Sequence, residues 1–215
     1  GGSILSQVYS EFGTSVPDVD SPEALIGFFN AMQESIESGD ILAYHDRSDG
    51  GLLTTLTEMS FAGHVGITVD LDVGLCGPDN NIVAALFNEE LGAVIQVKAG
   101  QVEELSQRFE SAGTSVMNLG GLNDSDRVEI RQQGEIIFTE RRDVLQSAWS
   151  ETSFQIASLR DNADCVREEF DRIEKTDPGL SVSLTFDSND DISAPYIKRG
   201  SKPWLRSPFY IRCTD

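Results

Sequence analysis

Residues 43–53, with the sequence AYHDRSDGGLL, constrain the fold more than any other part of this chain. The apolar run at residues 41–44 predicts a buried strand. A polar loop follows it, and Gly50 and Gly51 then open a pattern that predicts a helix to about residue 62. A strand that passes through a short loop into a helix is typical of a layered domain of helices and strands. The sequence therefore places a turn between a sheet and a helix at this point.

The same loop has the groups that a magnesium–polyphosphate site needs. A helix N-terminus presents unpaired N–H groups and the positive end of the helix dipole, and glycine lets a phosphate approach the backbone. Asp46 and Asp49 supply carboxylate oxygens, which suit Mg²⁺, and Ser48 supplies a hydroxyl for a phosphate oxygen. The alternative is a polar turn in which Asp49 caps the helix and the glycines only turn the chain. No lysine follows the glycines, so the loop is not a P-loop.

Helical and extended patterns alternate through the rest of residues 20–140. Ser21 and Pro22 suit the N-cap and the first position of a helix over residues 21–38, which Gly39 ends. Further helices are predicted over residues 82–90 and 101–112, a turn over 78–81, and strands over 66–72, 93–98, 115–119, 127–131 and 135–139. This order predicts an α/β or α+β domain over residues 1–140, with a mixed β-sheet layered with helices.

The composition changes after residue 140. Two more helical patterns, with Asp161 or Asn162 as the cap between them, are followed by a polar and acidic stretch, so residues 141–197 are expected to form a helical extension and an acidic linker. Residues 192–214 contain no acidic residue but five basic ones: Lys198, Arg199, Lys202, Arg206 and Arg212. Residues 198–215 are therefore expected to be a separate basic tail, which either docks on an acidic partner or is an unstructured end.

Charge and cysteine content exclude several classes of function. The chain has 16 Lys and Arg against 36 Asp and Glu, a net charge of −20, which repels nucleic acid and anionic membranes. Its apolar runs are far shorter than the ~20 residues of a membrane span, and its first residues lack the pattern of a signal peptide. Cys76, Cys165 and Cys213 are too far apart for a disulfide framework or a CxxC metal motif, so we expect a reducing, cytoplasmic setting.

The segment HDRSDGG, followed by LLTTLTEMSFAGHVGITVDLD, resembles phosphoribosylformylglycinamidine synthase (formylglycinamide ribonucleotide amidotransferase) in its large single-chain form. The match is to the C-terminal half-domain of the synthetase core. GGSILSQVY, WSETSFQI, LRDNADC and ISAPYI also resemble that family, so the resemblance covers about residues 1–203. Aminoimidazole ribonucleotide synthetase and selenophosphate synthetase share the looser D-x-S-x-G-G pattern, but residues 149–165 are not expected in those smaller relatives.

The resemblance implies a fold like the C-terminal domain of aminoimidazole ribonucleotide synthetase, and an ATP-dependent amidoligase of purine biosynthesis. That enzyme makes formylglycinamidine ribonucleotide from formylglycinamide ribonucleotide, glutamine and ATP. ATP phosphorylates the amide oxygen of the substrate, and ammonia from glutamine displaces the phosphate. Asp46 matches a Mg²⁺ ligand of the family and Ser48 matches a nucleotide contact, so Mg²⁺ and ATP are the expected cofactors. The site is either the catalytic nucleotide site or the auxiliary one of the large form.

The family continues after the position of Pro203 into a glutaminase domain with a Cys-His-Glu triad. Residues 204–215 do not resemble that domain, and Cys213 is not expected to be its nucleophile. The expected partners are therefore the remaining synthetase half and the glutaminase domain, and this chain alone is expected to be an inactive fragment. The alternative is a non-catalytic module that binds ADP–Mg²⁺ or only packs against its partner half.

Other polar and aromatic residues are weaker candidates, for which we expect a structural role or, at Glu89–Glu90 and Asp70–Asp72, only a solvated acidic surface. They are His45, beside the predicted metal ligand; His64, near a helix end; the pairs Glu89–Glu90 and Asp70–Asp72, which could reach a metal; and Trp149 and Phe154, which could form a ligand platform.

Overall fold

The computed structural model describes residues 1–14, 16–19, 21–71, 73–76, 81–176 and 179–195. The chain divides into two units, Gly1–Thr176 and Asp177–Asp215. The described helices of the first unit are α1 (Ile4–Tyr9), α2 (Pro22–Glu37), α3 (Gly51–Gly63), α4 (Val73–Cys76), α5 (Ile82–Phe87), α6 (Val102–Ser111), α7 (Arg142–Arg160) and α8 (Ala163–Asp171). Its strands are β1 (Ala43–Asp46), β2 (Gly66–Leu71), β3 (Ala93–Gln96), β4 (Gly120–Asn123), β5 (Arg127–Gln132) and β6 (Glu135–Arg141). Short 3₁₀ turns lie at Ala99–Gln101 and Arg172–Glu174.

The described strands form a two-stranded sheet and a four-stranded sheet. β1 and β3 pair antiparallel, and the larger sheet has the order β4–β2–β5–β6. Within it β2 and β5 are parallel, while the other two pairings are antiparallel, so the predicted mixed sheet is confirmed. Helices cover these strands, as the α/β or α+β class requires. The turn predicted over residues 78–81 lies largely outside the described residues.

The strand predicted over residues 115–119 is wrong, because the strand of this region is β4. Its sequence GGLN has little intrinsic preference for a strand. Gly120 lies opposite Val69 of β2, with φ +144°, and a Cβ there would come within 2.2 Å of the Thr68 carbonyl oxygen. The two backbones pair at this close approach because Gly120 has no side chain.

The main core lies between α3 and the four-stranded sheet. Leu71, Val128 and Ile130 are fully buried, and Leu52 and Leu56 reach them from α3. In β5, buried Val128 and Ile130 alternate with less buried residues, which is the pattern of a strand with one face on the core. This packing fixes α3, and with it the loop that precedes the helix.

A second, smaller cluster joins α2 and α6 to the two-stranded sheet. Ala31, Met32 and Phe109 are its buried members. A polar group lies beside it: Arg108 Nη1 donates to Ser35 Oγ at 2.9 Å and to Asp40 Oδ2 at 3.0 Å. Hydrogen bonds from Ser38 and from Arg108 hold the pKa of Asp40 below its ordinary value. This network ties the end of α2 to α6.

The start of α2 is as the sequence predicts. Ser21 is the N-cap, and its Oγ accepts a hydrogen bond from the Ala24 amide at 3.1 Å. Pro22 occupies the first helical position, where a missing N–H costs nothing. Gly39 follows the helix with φ +75°, the left-handed conformation that favours glycine.

The two predicted helices after residue 140 are α7 and α8, and α7 packs against α3. The start of α7 is anchored by Arg142, which is buried and donates through Nε to Asp126 Oδ1 at 2.7 Å. Of the two predicted caps, Asn162 and not Asp161 caps α8, and Phe154 of α7 stacks on Phe170 of α8 with ring centroids 4.4 Å apart. These helices are therefore part of the unit that carries the loop.

Residues 179–195 are the described part of the second unit. They are exposed and contain turns, one of them closed by the Asp191 carboxylate, which accepts hydrogen bonds from Ser193 and Ala194. These bonds lower the pKa of Asp191. The basic tail predicted over residues 198–215, with Cys213, lies outside the described residues. In the part of the chain that is described, no helix combines the length and apolar character needed to cross a membrane.

Candidate functional site

Asp46 lies at the end of β1, two residues beyond the strand predicted from the sequence. Side chains alternate along β1, so Tyr44 and Asp46 are exposed while Ala43 and His45 are half-buried. The Asp46 side chain is 68% exposed, and its carboxylate lies 3.9 Å from His45 Nδ1. Burial and the nearby Asp46 charge raise the pKa of Tyr44. The strand therefore presents the predicted metal ligand to solvent where the loop begins.

Arg47 turns inward and fixes the loop. Its Nε donates to the Glu90 carbonyl oxygen at 2.6 Å, and its Nη2 donates to the Leu91 carbonyl oxygen at 3.1 Å. The Arg47 amide also donates to the Gly92 carbonyl oxygen at 2.8 Å, which extends the β1–β3 pairing by one bond. Burial lowers the pKa of the guanidinium. The loop is thus held against the segment before β3 by main-chain acceptors.

The polar side chains on either side of Arg47 face outward. Asp46, Ser48 and Asp49 are exposed, and none of their side chains makes a hydrogen bond to another described residue. The interpretation of Asp49 as the cap of α3 is wrong, because the N-cap is Gly50 and no side chain caps the helix. All three oxygen-bearing side chains are therefore accessible to a ligand.

Both glycines of the loop are required by the local backbone. Gly50 and Gly51 have φ of +82° and +69°, a left-handed conformation that side chains disfavour. A Cβ on Gly51 would also lie 2.7 Å from the carbonyl oxygens of Leu86 and Asn88. The glycine pair thus lets the start of α3 pack against the end of α5, whether or not a phosphate binds there.

Glu89 has a role that the sequence does not reveal. Its Oε1 accepts hydrogen bonds from the Gly50 amide and from the Ile4 amide, each at 2.9 Å. A carboxylate at the start of α3 matches the positive end of the helix dipole. Glu89 therefore joins the start of α1 to the start of α3, and Glu90 beside it is exposed. The solvated acidic face expected for Glu89 and Glu90 is wrong for Glu89, because its carboxylate is half-buried and accepts two main-chain hydrogen bonds.

His45 is the central member of a hydrogen-bonded chain that reaches α7. Its Nε2 lies 2.8 Å from Glu58 Oε2, and Trp149 Nε1 donates to Glu58 Oε1, also at 2.8 Å. His45 Nδ1 lies 2.7 Å from the Asp46 carbonyl oxygen. Because both His45 partners are acceptors, the two contacts are hydrogen bonds together only when both ring nitrogens carry a proton. The Trp149 ring also packs edge-on against Phe61, with centroids 6.0 Å apart.

The remaining candidates have structural roles. His64 is the C-cap of α3, with φ +48°, and Asp70 accepts a hydrogen bond from the Gly134 amide at 2.8 Å. Asp72 lies outside the described residues. Phe154 of α7 stacks on Phe170 of α8, and the guanidinium carbon of Arg167 lies 4.5 Å from the centroid of the Phe154 ring. Within the described ranges, no group of three or more His, Cys, Asp or Glu side chains could hold a metal ion.

The fold and the loop define an α/β domain that offers exposed oxygen ligands between a strand and a helix. Residues 1–133 match the family described as AIR synthase related protein, C-terminal domain. That match covers more than half of the 215 residues, and the chain belongs to this family.

Solved structures from Thermotoga maritima have the same fold. PurLQS is 20% identical with a TM-score of 0.53, and the alignment covers 58% of this chain and 22% of that one. PurL complexed with ATP is 17% identical with a TM-score of 0.53, covering 60% and 22%. PurL complexed with FGAR is 16% identical with a TM-score of 0.50, covering 55% and 20%. This chain therefore spans about a fifth of the length of the structures that it matches.

Proposed function

We propose that this chain is part of an ATP-dependent amidoligase that converts formylglycinamide ribonucleotide, glutamine and ATP to formylglycinamidine ribonucleotide. The observation that carries the proposal is the outward orientation of Asp46, at the end of β1, and of Ser48, on the loop that Arg47 holds in place. The family match and the fold shared with the PurL complexes with ATP and with FGAR support the same reaction. The large single-chain form and a cytoplasmic location remain part of this proposal.

The oxygen donors of the loop fit Mg²⁺ as a partial ligand set. Mg²⁺ prefers six oxygen ligands and keeps several waters, so one or two protein carboxylates are enough when phosphate oxygens share the site. Asp46 supplies such a carboxylate without breaking any hydrogen bond to a described residue. When bound, Mg²⁺ would neutralise phosphate charge and orient the transferring phosphoryl group.

Each loop residue then has a separate task. The Asp46 carboxylate orients the cation, the Ser48 hydroxyl donates to a phosphate oxygen, and Arg47 keeps both side chains in place through its inward hydrogen bonds. Within the described residues no three or more His, Cys, Asp or Glu side chains form a group that could hold a metal ion, so we propose that further protein ligands come from the remaining synthetase half. We therefore expect no synthetase turnover from this chain alone, and we propose the glutaminase domain as the source of ammonia.

The non-catalytic alternative is that the domain binds ADP–Mg²⁺ for architecture or only packs against its partner half, and one observation favours the second of these forms. The Glu89 carboxylate already accepts the Gly50 amide at the start of α3, so one amide of the expected phosphate site is engaged. A phosphate at the loop would therefore rely on Ser48 and the cation more than on that amide.

Calorimetry with Mg²⁺ and ADP tests the proposed site. It is carried out on this chain alone and on the chain assembled with the remaining synthetase half. Asp46→Asn is expected to weaken the Mg²⁺-dependent affinity at least about tenfold, since even residues that only support metal ligands cost this much. Asp124→Asn, at another exposed aspartate, is the matched control and is expected to change nothing. Unchanged affinity in Asp46→Asn would count against Asp46 as a ligand.

Turnover assays separate the enzymatic function from the architectural one. In the assembled protein, Asp46→Asn lowers the rate of formylglycinamidine ribonucleotide formation if this is the catalytic site. Full turnover, together with lost ADP–Mg²⁺ binding, would assign the loop to the auxiliary site.

A further inference from the structure

We infer that Glu58 and Trp149 are positioning residues for the end of β1 that carries Asp46, and that α7 is therefore part of the support of the nucleotide site. The inference rests on the proposed function, since it concerns the orientation of the proposed metal ligand. It assigns roles to two residues that do not themselves touch the cation or the nucleotide.

The chain of contacts is continuous from α7 to the end of β1. Trp149 donates its indole N–H to one oxygen of Glu58, and the other oxygen of Glu58 faces His45 Nε2, each at 2.8 Å. The opposite nitrogen of the same ring lies 2.7 Å from the carbonyl oxygen of Asp46. Both carboxylate oxygens of Glu58 are therefore used, and both ring nitrogens of His45 face an acceptor oxygen.

The position of these hydrogen-bonded side chains in the fold supports their positioning role. Glu58 is on α3, the helix that begins at the glycine pair, while His45 and Asp46 are on β1, at the other end of the loop. The bond between Glu58 and His45 therefore closes the strand–loop–helix segment across its base. The side chains of Glu58 and His45 are only 26% and 27% exposed, so water competes less for the hydrogen bond between these two side chains than at an open surface.

Trp149 sets the rotamer of Glu58. A glutamate on a helix surface samples several rotamers, and an indole N–H on one oxygen selects the rotamer that aims the other oxygen at His45. The ring itself is fixed by its edge-on contact with Phe61, whose side chain is buried in the domain. Removing only the indole N–H should therefore loosen the end of β1 without removing a core side chain.

Two variants test this role in the protein assembled with the remaining synthetase half. Glu58→Gln keeps the size of the side chain but removes its charge, and Trp149→Phe keeps an aromatic ring but removes the N–H. Ile156→Ala is the matched control, because Ile156 lies on the same helix and is 58% exposed, as Trp149 is. ADP affinity is measured by calorimetry with and without Mg²⁺, and thermal unfolding is measured in parallel.

Glu58→Gln is expected to weaken the Mg²⁺-dependent ADP affinity about tenfold, the lower end of the range for residues that support metal ligands. Trp149→Phe is expected to cost less, about threefold, because Trp149 acts only through Glu58. ADP affinity without Mg²⁺ and the behaviour of Ile156→Ala are expected to stay unchanged. A purely structural role would lower the unfolding temperature and leave the dependence on Mg²⁺ as it is.

A spectroscopic readout follows the contact directly. ¹⁵N-labelled tryptophan in this chain gives two indole N–H signals, and Trp204→Phe identifies that of Trp149. Adding Mg²⁺ and ADP is expected to shift the Trp149 signal, and Asp46→Asn is expected to abolish the shift.

Each result decides between the two claims. Suppose that Asp46→Asn loses Mg²⁺-dependent ADP binding, while Glu58→Gln and Trp149→Phe keep the ADP affinity of the wild type and the Trp149 signal does not shift. This result would overturn the positioning role and leave the proposed function intact. If the wild-type protein itself binds ADP and Mg²⁺ nowhere, the proposed function fails, and the positioning role fails with it.

Discussion

Replacing Gly51 with alanine tests why the start of α3 needs a glycine. With φ at +69°, an alanine pays about 1–2 kcal/mol for the left-handed conformation. Its Cβ would also lie 2.7 Å from two carbonyl oxygens, those of Leu86 and Asn88. Relieving such an overpacked contact typically costs about 1–3 kcal/mol. We expect Gly51→Ala to lower the free energy of unfolding by about 3 kcal/mol.

Gly39→Ala is the matched control, because it isolates the conformational cost. Gly39 has φ +75°, and nothing lies within 4 Å of the position of its Cβ. This substitution should therefore cost only about 1 kcal/mol. Urea unfolding followed by circular dichroism measures both variants. With a slope of about 2 kcal/mol per molar urea, the two midpoints should differ by about 1 M.

Equal losses in the two variants would refute the reasoning. That result would mean that α5 does not pack against the start of α3, and that the Gly51 position is open. An open position would in turn favour the interpretation in which the glycine is there to admit a phosphate.

Other parts of the structure give three further predictions. Ile130→Ala should lower the free energy of unfolding by about 3 kcal/mol, measured with urea, because Ile130 is fully buried. Ile136, which is 53% exposed, is the control, and Ile136→Ala should lower it by about 1 kcal/mol or less. Similar losses in the two variants would contradict the assigned core. Arg47→Ala should lower the free energy of unfolding by about 2 kcal/mol, because two carbonyl groups lose a charged hydrogen-bond donor. Arg47→Lys should recover part of this loss. Unchanged stability in Arg47→Ala would contradict the anchoring role of Arg47. Because the pKa of Asp40 is lowered in the folded state, its ionised form should stabilise the fold above about pH 5, and this effect should be lost as the pH falls through the folded-state pKa. The difference in unfolding free energy between wild type and Asp40→Asn should therefore shrink in acid. A difference that grew in acid would refute the pKa shift.

Local signals predicted the helices well. Ser21 and Pro22 start α2, and Asn162 caps α8, because caps act within a few residues of the chain. β4 could not be found in this way. Its glycines carry no strand signal, and its pairing depends on a close approach to Thr68, more than fifty residues earlier in the sequence.

The candidate site shows the same division. The order of strand, carboxylate, hydroxyl and glycine pair predicted an exposed loop with Asp46 and Ser48. The structure has both residues exposed, but Asp46 is the last residue of β1 and not part of the loop, and the ligand roles of both remain predictions. The contacts that hold the loop join distant residues: Arg47 and the Glu90 carbonyl are 43 positions apart, and Glu58 and Trp149 are 91 apart. Without an internal repeat or a spacing rule, no pattern in one sequence reveals such pairs.

The Arg47 side chain donates its hydrogen bonds to the main-chain carbonyl oxygens of residues 90 and 91, and every amino acid has such an oxygen. The hydrogen bonds of Arg47 therefore do not depend on which side chains residues 90 and 91 carry, and both of these side chains are exposed, although the charge of Glu90 also acts on the guanidinium. Saturation mutagenesis of this region is expected to show a strict requirement at position 47 and tolerance at positions 90 and 91. Substitutions at positions 90 and 91 can therefore change the surface beside the loop while the hydrogen bonds that anchor the loop are kept.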